Sequence, residues 1–152
     1  LKIFPQHKQK NTAFVAIRNP EAAINLLSMV REISGDSLIA FEIIPRLGIE
    51  FNLKNMPGCQ DPLMTDYDWY ILMECATSLD SDLLNLDVMM NKILKNAMER
   101  GLVLDGVIPK NINEIRNLWN LRENMSEAQK FEGASIKHDI YNYRVGYECW
   151  WI

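Results

Sequence analysis

The stretch TAFVAIRNPEAAINLLSMVREISGDSLIAFEII, residues 12–44, contains a strand, a helix and a second strand in succession. Its apolar pattern predicts strands over residues 12–17 and 37–44. Asn19 is typical of the cap before a helix that opens with proline, and Gly35 is typical of the end of that helix. The segment therefore predicts a strand–helix–strand unit with short connections.

The rest of the chain continues the same alternation of strand and helix patterns. The further predicted elements are a helix over 45–54, a strand over 69–76, a helix over 82–100, a strand over 102–108, a helix over 111–130 and a fifth strand over 135–140. Strands that alternate with helices indicate an α/β or α+β class, and the pattern alone leaves the strand directions open.

Composition and charge restrict the class of protein. The chain has 152 residues, 48% of them hydrophobic and 24% charged, which is typical of one globular domain. The net charge of −4 gives no reason to expect nucleic acid or an anionic membrane as a partner. Residues 1–18 are basic and residues 55–91 acidic, which we interpret as two solvated faces of opposite sign.

Cysteine usage and hydropathy bear on the compartment. Three cysteines without metal-binding spacing predict reduced thiols and a cytoplasmic protein. No window approaches the roughly 18 consecutive apolar residues of a membrane span, so we predict no transmembrane segment.

The stretch NLWNLRENMSEAQKFEGASIKHD, residues 117–139, contains the main candidate site. Arg122 lies three residues after Trp119 on the apolar side of its predicted helix, and Ser126 follows one turn later. Lys137 lies on the strand predicted next. A guanidinium directed towards apolar packing needs an anion, and arginine suits bidentate capture of a carboxylate. These three side chains therefore predict a site for a small carboxylate-bearing substrate.

Simpler interpretations of the same residues stay open. Arg122 can reach the surface along its aliphatic stem, or pair with Glu123 or Glu127. Ser126 alone is typical of a helix-surface hydroxyl, and Lys137 alone of a solvated charge at a strand edge.

Other polar residues are weaker candidates. Glu42 projects opposite to the apolar residues beside it, which predicts a solvated side chain, and His138 projects opposite to Lys137. Two histidines provide no zinc cluster, and no glycine-rich phosphate loop occurs. An acidic loop resembles a metal site but is better interpreted as the N-cap cluster of the following helix. That loop contains Ser78, Asp80, Ser81 and Asp82.

Five stretches carry a family resemblance. They are LKIFPQHKQKNTAFVAI (1–17), AFEIIPRLGIEFNLKNMPGCQDPL (40–63), WYILMECATS (69–78), GLVLDGVIPK (101–110) and LWNLREN-SEAQ-EG-SIKHD within 118–139. On these the chain resembles the C-terminal cap domain of FAD-linked oxidases of the vanillyl-alcohol-oxidase type. Within that type it is similar to the branch of D-lactate dehydrogenase, D-2-hydroxyglutarate dehydrogenase and the glycolate oxidase D-subunit.

The resemblance implies a fold and an activity. It implies an α+β domain over residues 1–140, with a largely antiparallel, ferredoxin-like sheet covered by helices. It implies hydride transfer from C2 of a D-2-hydroxy acid to flavin N5, with the carboxylate bound by Arg122, Ser126 and Lys137. The FAD domain is expected before Leu1, and enzymes of this type can be peripheral to the inner membrane.

The last residues depart from the family pattern. Residues 141–152, YNYRVGYECWWI, replace the expected strand, helix and Gly-His-Gly-Asp-Gly-Asn-like run, which supplies the catalytic His and the ligands of a divalent metal. We interpret these residues as an aberrant tail after a shifted or truncated reading frame, so that the domain is incomplete. The fragment is accordingly expected to contain no catalytic, cofactor-binding or metal-binding residue, and to be inactive without its FAD domain.

Two functions follow from these observations. One is a substrate-binding cap fragment of an FAD-dependent D-2-hydroxy acid dehydrogenase. The other is a non-catalytic remnant, or a binding module that retains the cap fold. The expected partners are a small D-2-hydroxy acid, a separate chain carrying the FAD domain, and other copies of this chain.

Overall fold

A computed structural model of the protein describes residues 6–133. The elements, in chain order, are β1 (Gln9–Ile17), α1 (Pro20–Ser34), β2 (Leu38–Pro45), α2 (Arg46–Asn55), β3 (Trp69–Thr77), α3 (Leu86–Glu99), β4 (Val103–Val107), α4 (Ile112–Glu123) and α5 (Met125–Ala128). Short 3-10 turns cover Gly35–Ser37 and Gln129–Glu132. The predicted strand over 135–140, with Lys137 and His138, and the tail over 141–152 lie outside the described residues.

The strands form one sheet in the order β2-β3-β1-β4, and each neighbouring pair is antiparallel. β1 lies inside the sheet, and its residues from Asn11 to Ile17 are buried. This order, with helices α1 and α3 as the two crossovers, is the ferredoxin-like arrangement. The strand directions that the pattern left open are therefore antiparallel, and the α+β class is confirmed.

The two faces of the sheet pack against different helices, because successive side chains of a strand point to opposite sides. Ile71, Met73 and Cys75 of β3 face α1 and α3. Tyr70 and Leu72 point to the opposite face of the sheet, where they form a second cluster with residues of α2, α4 and α5. We call this face of the sheet the α4 face. The strand predicted over residues 69–76 is confirmed.

Close contacts hold α2 against the end of α4. The Nδ2 of the fully buried Asn52 donates to the Leu121 carbonyl at 2.9 Å and to the Gly48 carbonyl at 2.9 Å. A Cβ added at Gly48 would lie 2.5 Å from the Met125 sulfur, so glycine allows α2 and α5 to approach each other. These contacts hold the end of α4, and α5 after it, against α2.

Arg46 holds the loop between α2 and β3. Its Nη1 lies 2.5 Å from Asp61 Oδ2, 3.1 Å from Asp66 Oδ1 and 3.2 Å from the Tyr70 hydroxyl. Burial opposes the charge of this guanidinium, but the contacts with Tyr70 and Asp61 outweigh it and raise the Arg46 pKa. The loop is thereby tied to the first turn of α2 and to β3.

Two helix predictions need correction. α3 begins at Leu86 rather than at 82, because Asn85 is its N-cap and accepts hydrogen bonds from Asp87 N and Val88 N. Leu83, which falls inside the helix predicted over 82–100, lies in the preceding turn and is 74% exposed. The acidic loop before it is therefore not the cap cluster. The helix predicted over 111–130 is interrupted at Asn124, between α4 and α5.

The interpretation of two separate charged faces is wrong, because β1 and β3 are antiparallel neighbours. Their pairing places basic and acidic residues side by side. Lys8 Nζ lies 2.8 Å from Asp80 Oδ1, and Lys10 Nζ lies 3.0 Å from Glu74 Oε1.

Within residues 6–133, no helix combines the length and the apolarity that crossing a membrane requires.

Candidate functional site

The predicted site lies at the end of α4, where Arg122 is located. The sequence also predicts where this helix begins. Asn111 Oδ1 accepts hydrogen bonds from Asn113 N and Glu114 N, both at 3.0 Å. The Glu114 side chain accepts from Lys110 N at 2.7 Å, so the helix begins where the sequence predicts it. Leu118 and Leu121 then bury the inner side of the helix against the sheet.

Arg122 projects from this helix towards strand β2. Its Nε lies 3.1 Å from Oε2 of Glu42, and the two side chains are 25% and 22% exposed. Neither Glu123 nor Glu127 is the partner, and Glu127 instead contacts Lys130. The prediction of a solvated Glu42 is therefore wrong. Glu42 alternates with Phe41 and Ile43, which pack on the opposite face, so it points to the α4 face and meets Arg122 there.

A second carboxylate, Glu74 of β3, lies on the same face and is 6% exposed. Its oxygens accept hydrogen bonds from Thr12 Oγ1 at 3.0 Å, from Trp119 Nε1 at 3.2 Å and from Lys10 Nζ at 3.0 Å. A buried carboxylate is costly unless it is paired, and these three donors meet that requirement. Sequence reasoning missed Glu74, although it is the one acidic residue within the apolar strand WYILMECAT.

The spacing of Glu42 and Glu74 on the sheet matches the spacing of their partners, Arg122 and Trp119, on α4. Glu42 lies opposite Leu72, two residues before Glu74 on β3, so the acids are diagonal neighbours, about 7–8 Å apart at Cα. Trp119 and Arg122 lie three residues apart on α4 and point to the same side. One helix turn therefore contacts both acids, which fixes the rotation of α4 over the sheet.

Of the two other predicted site residues, the structure describes Ser126. Ser126 is exposed on α5, four residues beyond Arg122, and Asn124 between them keeps helical backbone angles. The structure thus places Arg122 and Ser126 on successive turns of one helical path. Lys137 lies beyond the described residues, and its place in the site stays a prediction.

A cavity of about 200 Å³ lies along α4 from Glu114 to Leu121, beside the loop after α2 and the end of β4. Its lining includes Leu118 and Leu121, with Asp61 and Glu114 at its polar side. Both acids are engaged, Asp61 with Arg46 and Glu114 with the helix cap. Neither Arg122 nor Ser126 lines the cavity, although the cavity extends to Leu121, the residue directly before Arg122.

Gly48, in the first turn of α2, packs against the Met125 sulfur, so this helix start is not an open glycine loop of the kind that holds a pyrophosphate. Among residues 6–133, no three His, Cys, Asp or Glu side chains come together as metal ligands. The α4 face presents the guanidinium of Arg122, a group that suits a carboxylate or another anion.

The two described cysteines are free thiols. Cys75 is buried in the sheet, and burial, with a smaller contribution from Glu74, raises its pKa to about 11. Cys59 is half-buried in the loop after α2. Cys75 is therefore neutral at physiological pH and is a packing residue.

The fold and this face define a class: an antiparallel α+β domain of ferredoxin-like strand order with an arginine presented by one covering helix. Comparison with known proteins extends the assignment. The family model of the C-terminal domain of FAD linked oxidases matches residues 6–143. The chain belongs to this family, which confirms the resemblance and its connection with FAD-linked oxidoreductases.

Three relatives of the chain are named as enzymes of D-2-hydroxyglutarate. The chain is 31% identical over 136 residues to the mitochondrial D-2-hydroxyglutarate dehydrogenase of Arabidopsis thaliana, covering 90% of this chain and 24% of that protein. It is 36% identical over 132 residues to a protein of Oryza sativa subsp. indica named "Probable D-2-hydroxyglutarate dehydrogenase, mitochondrial", covering 86% and 23%. It is 24% identical over 133 residues to a D-2-hydroxyglutarate–pyruvate transhydrogenase of Saccharomyces cerevisiae, covering 88% and 26%. The chain spans about a quarter of the length of these relatives.

Proposed function

We propose that residues 1–140 are the substrate-binding cap part of an FAD-dependent D-2-hydroxy acid dehydrogenase, and that residues 141–152 are a tail outside that domain. The observation that carries the proposal is Arg122, which the end of α4 holds over the sheet with its terminal nitrogens not hydrogen-bonded to any described residue. Family membership and the names of the relatives support a 2-hydroxy acid as the ligand.

The role of this chain in such an enzyme is to bind and orient the acid. The Arg122 guanidinium offers paired N–H donors to a carboxylate, and the Ser126 hydroxyl, one turn away, offers one further hydrogen bond. Lys137 is proposed, from the family motif, to add a third positive contact. Oxidation at C2 of the acid, with hydride transfer to flavin N5, belongs to a flavin-bearing part of the enzyme, whether on the same chain or on a separate partner chain.

Ligand binding by the 152-residue chain tests this proposal. Isothermal titration with D-2-hydroxyglutarate, D-lactate and glycolate is expected to show weak binding, since one charge-assisted contact contributes about 1.5–3 kcal/mol. Arg122→Ala should abolish that binding. Arg116→Ala is the matched control, because it removes the same charge from an exposed position of the same helix. Equal binding by the wild type and Arg122→Ala would reject the site.

The second candidate function is a non-catalytic module that associates through its sheet. The edge strands of the sheet favour it. β2 and β4 are its outer strands, and each pairs on one side only among the described strands. Unpaired strand edges are templates for association with another chain. Sedimentation velocity over a range of concentrations distinguishes the candidates: a stable dimer without hydroxy acid binding supports the module, and a monomer that binds the acid supports the cap. The compartment of the protein stays a prediction.

A further inference from the structure

We propose that Glu42 is a positioning residue for Arg122, which it holds through Nε so that the terminal Nη1 and Nη2 edge is presented to a substrate carboxylate. The inference rests on the proposed function for its ligand, and on the geometry of the α4 face for the positioning itself. It adds to the predicted site a residue of β2 that lies 80 positions from Arg122 in sequence.

Among residues 6–133, the contact with Glu42 leaves the Nη1 and Nη2 edge of the Arg122 guanidinium without a hydrogen-bond partner. Arg122 Nε donates to Glu42 Oε2 at 3.1 Å, and neither Nη1 nor Nη2 donates to any residue between 6 and 133. A guanidinium is planar, with its five N–H donors in a fixed fork. Once Nε is engaged, the plane is set, and the terminal edge is the one that remains for bidentate binding of a second carboxylate.

Both ends of this pair are mounted on fixed elements. Glu42 is two residues from the buried Ile44 on a strand that is hydrogen-bonded to β3, and its direct neighbour there is Leu72. The helix is fixed one turn earlier by Trp119, which donates to Glu74 at 3.2 Å. The pair therefore sets the orientation of Arg122 before a ligand arrives, which lowers the entropy lost on binding.

The opposite role for Glu42 gives the opposite result. If Glu42 occupied the place of the substrate carboxylate, its removal would free the guanidinium and strengthen binding. If Glu42 orients the guanidinium, its removal weakens binding, because Arg122 then has to be ordered by the ligand. The sign of the change in affinity therefore decides between positioning and competition.

The first measurement needs no ligand. In nitrogen-15 spectra of the full 152-residue chain, the Arg122 Nε–H signal should be protected from solvent exchange in the wild type and lose that protection in Glu42→Gln. Glu50→Gln is the matched control, because Glu50 pairs in the same way with Nε of Arg46 at 3.3 Å. Backbone amide spectra verify that each variant is folded. Unchanged Arg122 protection in a folded Glu42→Gln variant overturns the positioning role.

The second measurement adds D-2-hydroxyglutarate. Glu42→Gln should weaken binding about tenfold, which is the cost of ordering one arginine side chain on binding. Arg122→Lys should weaken binding as well, because lysine keeps the charge but has no Nε for Glu42 to hold. Tighter binding by Glu42→Gln overturns the inference in favour of competition. If the wild type binds no hydroxy acid, the proposed function and the carboxylate part of this inference are rejected, and the Nε–H signal still decides whether Glu42 holds Arg122.

Discussion

The indole of Trp119 donates a hydrogen bond to the buried carboxylate of Glu74 at 3.2 Å, across 45 residues of sequence. The same carboxylate accepts from Thr12 on the inner strand β1, so one acid joins β1, β3 and α4. It determines how the helix lies on the sheet, and therefore where Arg122 points.

Removal of Glu74 should destabilise the domain. In Glu74→Ala, the Thr12 hydroxyl and the Trp119 indole lose their acceptor inside the core, and we expect a loss of about 2–4 kcal/mol in the free energy of unfolding. Urea denaturation followed by tryptophan fluorescence measures this. Glu99→Ala, at the exposed end of α3, should change stability by less than about 0.5 kcal/mol. Equal stabilities of the two variants would contradict a structural role for Glu74.

Gly106 on β4 should not tolerate a side chain. A Cβ there would lie 2.8 Å from Val15 Cγ1 and 3.2 Å from the Phe14 carbonyl oxygen, both on the neighbouring strand β1. We expect Gly106→Ala to cost about 1–3 kcal/mol through overpacking. In a double-mutant cycle with Val15→Ala, the two losses should total more than the loss of the double variant. Strict additivity would show that the contact with Val15 is not the cause.

Cys75 should resist modification in the folded protein. In a Cys149→Ser background, a disulfide reagent is expected to label Cys59 first and Cys75 only on unfolding, because Cys75 is buried and protonated. The thiol pKa is raised from 9.0 to about 11, so the unfolded state loses this proton at lower pH than the folded state. The free energy of unfolding should therefore fall as the pH rises from about 9 towards 11, and Cys75→Ala should reduce that dependence.

The end of the described chain should loosen in acid. Glu132 accepts from Asn55 Nδ2 at 2.7 Å and from Lys54 Nζ at 2.8 Å, and these contacts, that with Asn55 first, lower its pKa from 4.5. The stabilisation is present above the ordinary pKa and is lost as the pH falls through the lowered one. Amide exchange at Ala128 should accelerate over that range relative to α1. Glu132→Gln should remove this pH dependence, and an unchanged profile would exclude Glu132 as its source.

Much of the fold could be predicted because its signals are local. The helix starts at Asn19 and Asn111 follow from side chains that cap backbone N–H groups two or three residues away. The start of α3 was predicted wrongly because an acidic cluster at residues 78–82 is also typical of a helix cap, and the true cap, Asn85, follows it. Local patterns can compete, and the turn at Asp80 decides between them through backbone contacts.

The sequence by itself determined the alternation of strands and helices and, through the motifs of its family, the α+β class and the choice of Arg122 as a candidate site residue. Only the tertiary structure decided what Arg122 and the buried acids contact. Glu42 and Arg122 are 80 residues apart, and Glu74 and Trp119 are 45 apart. Such pairs depend on strand register and on the rotation of α4, which result from packing of the whole sheet and are not encoded in any short segment.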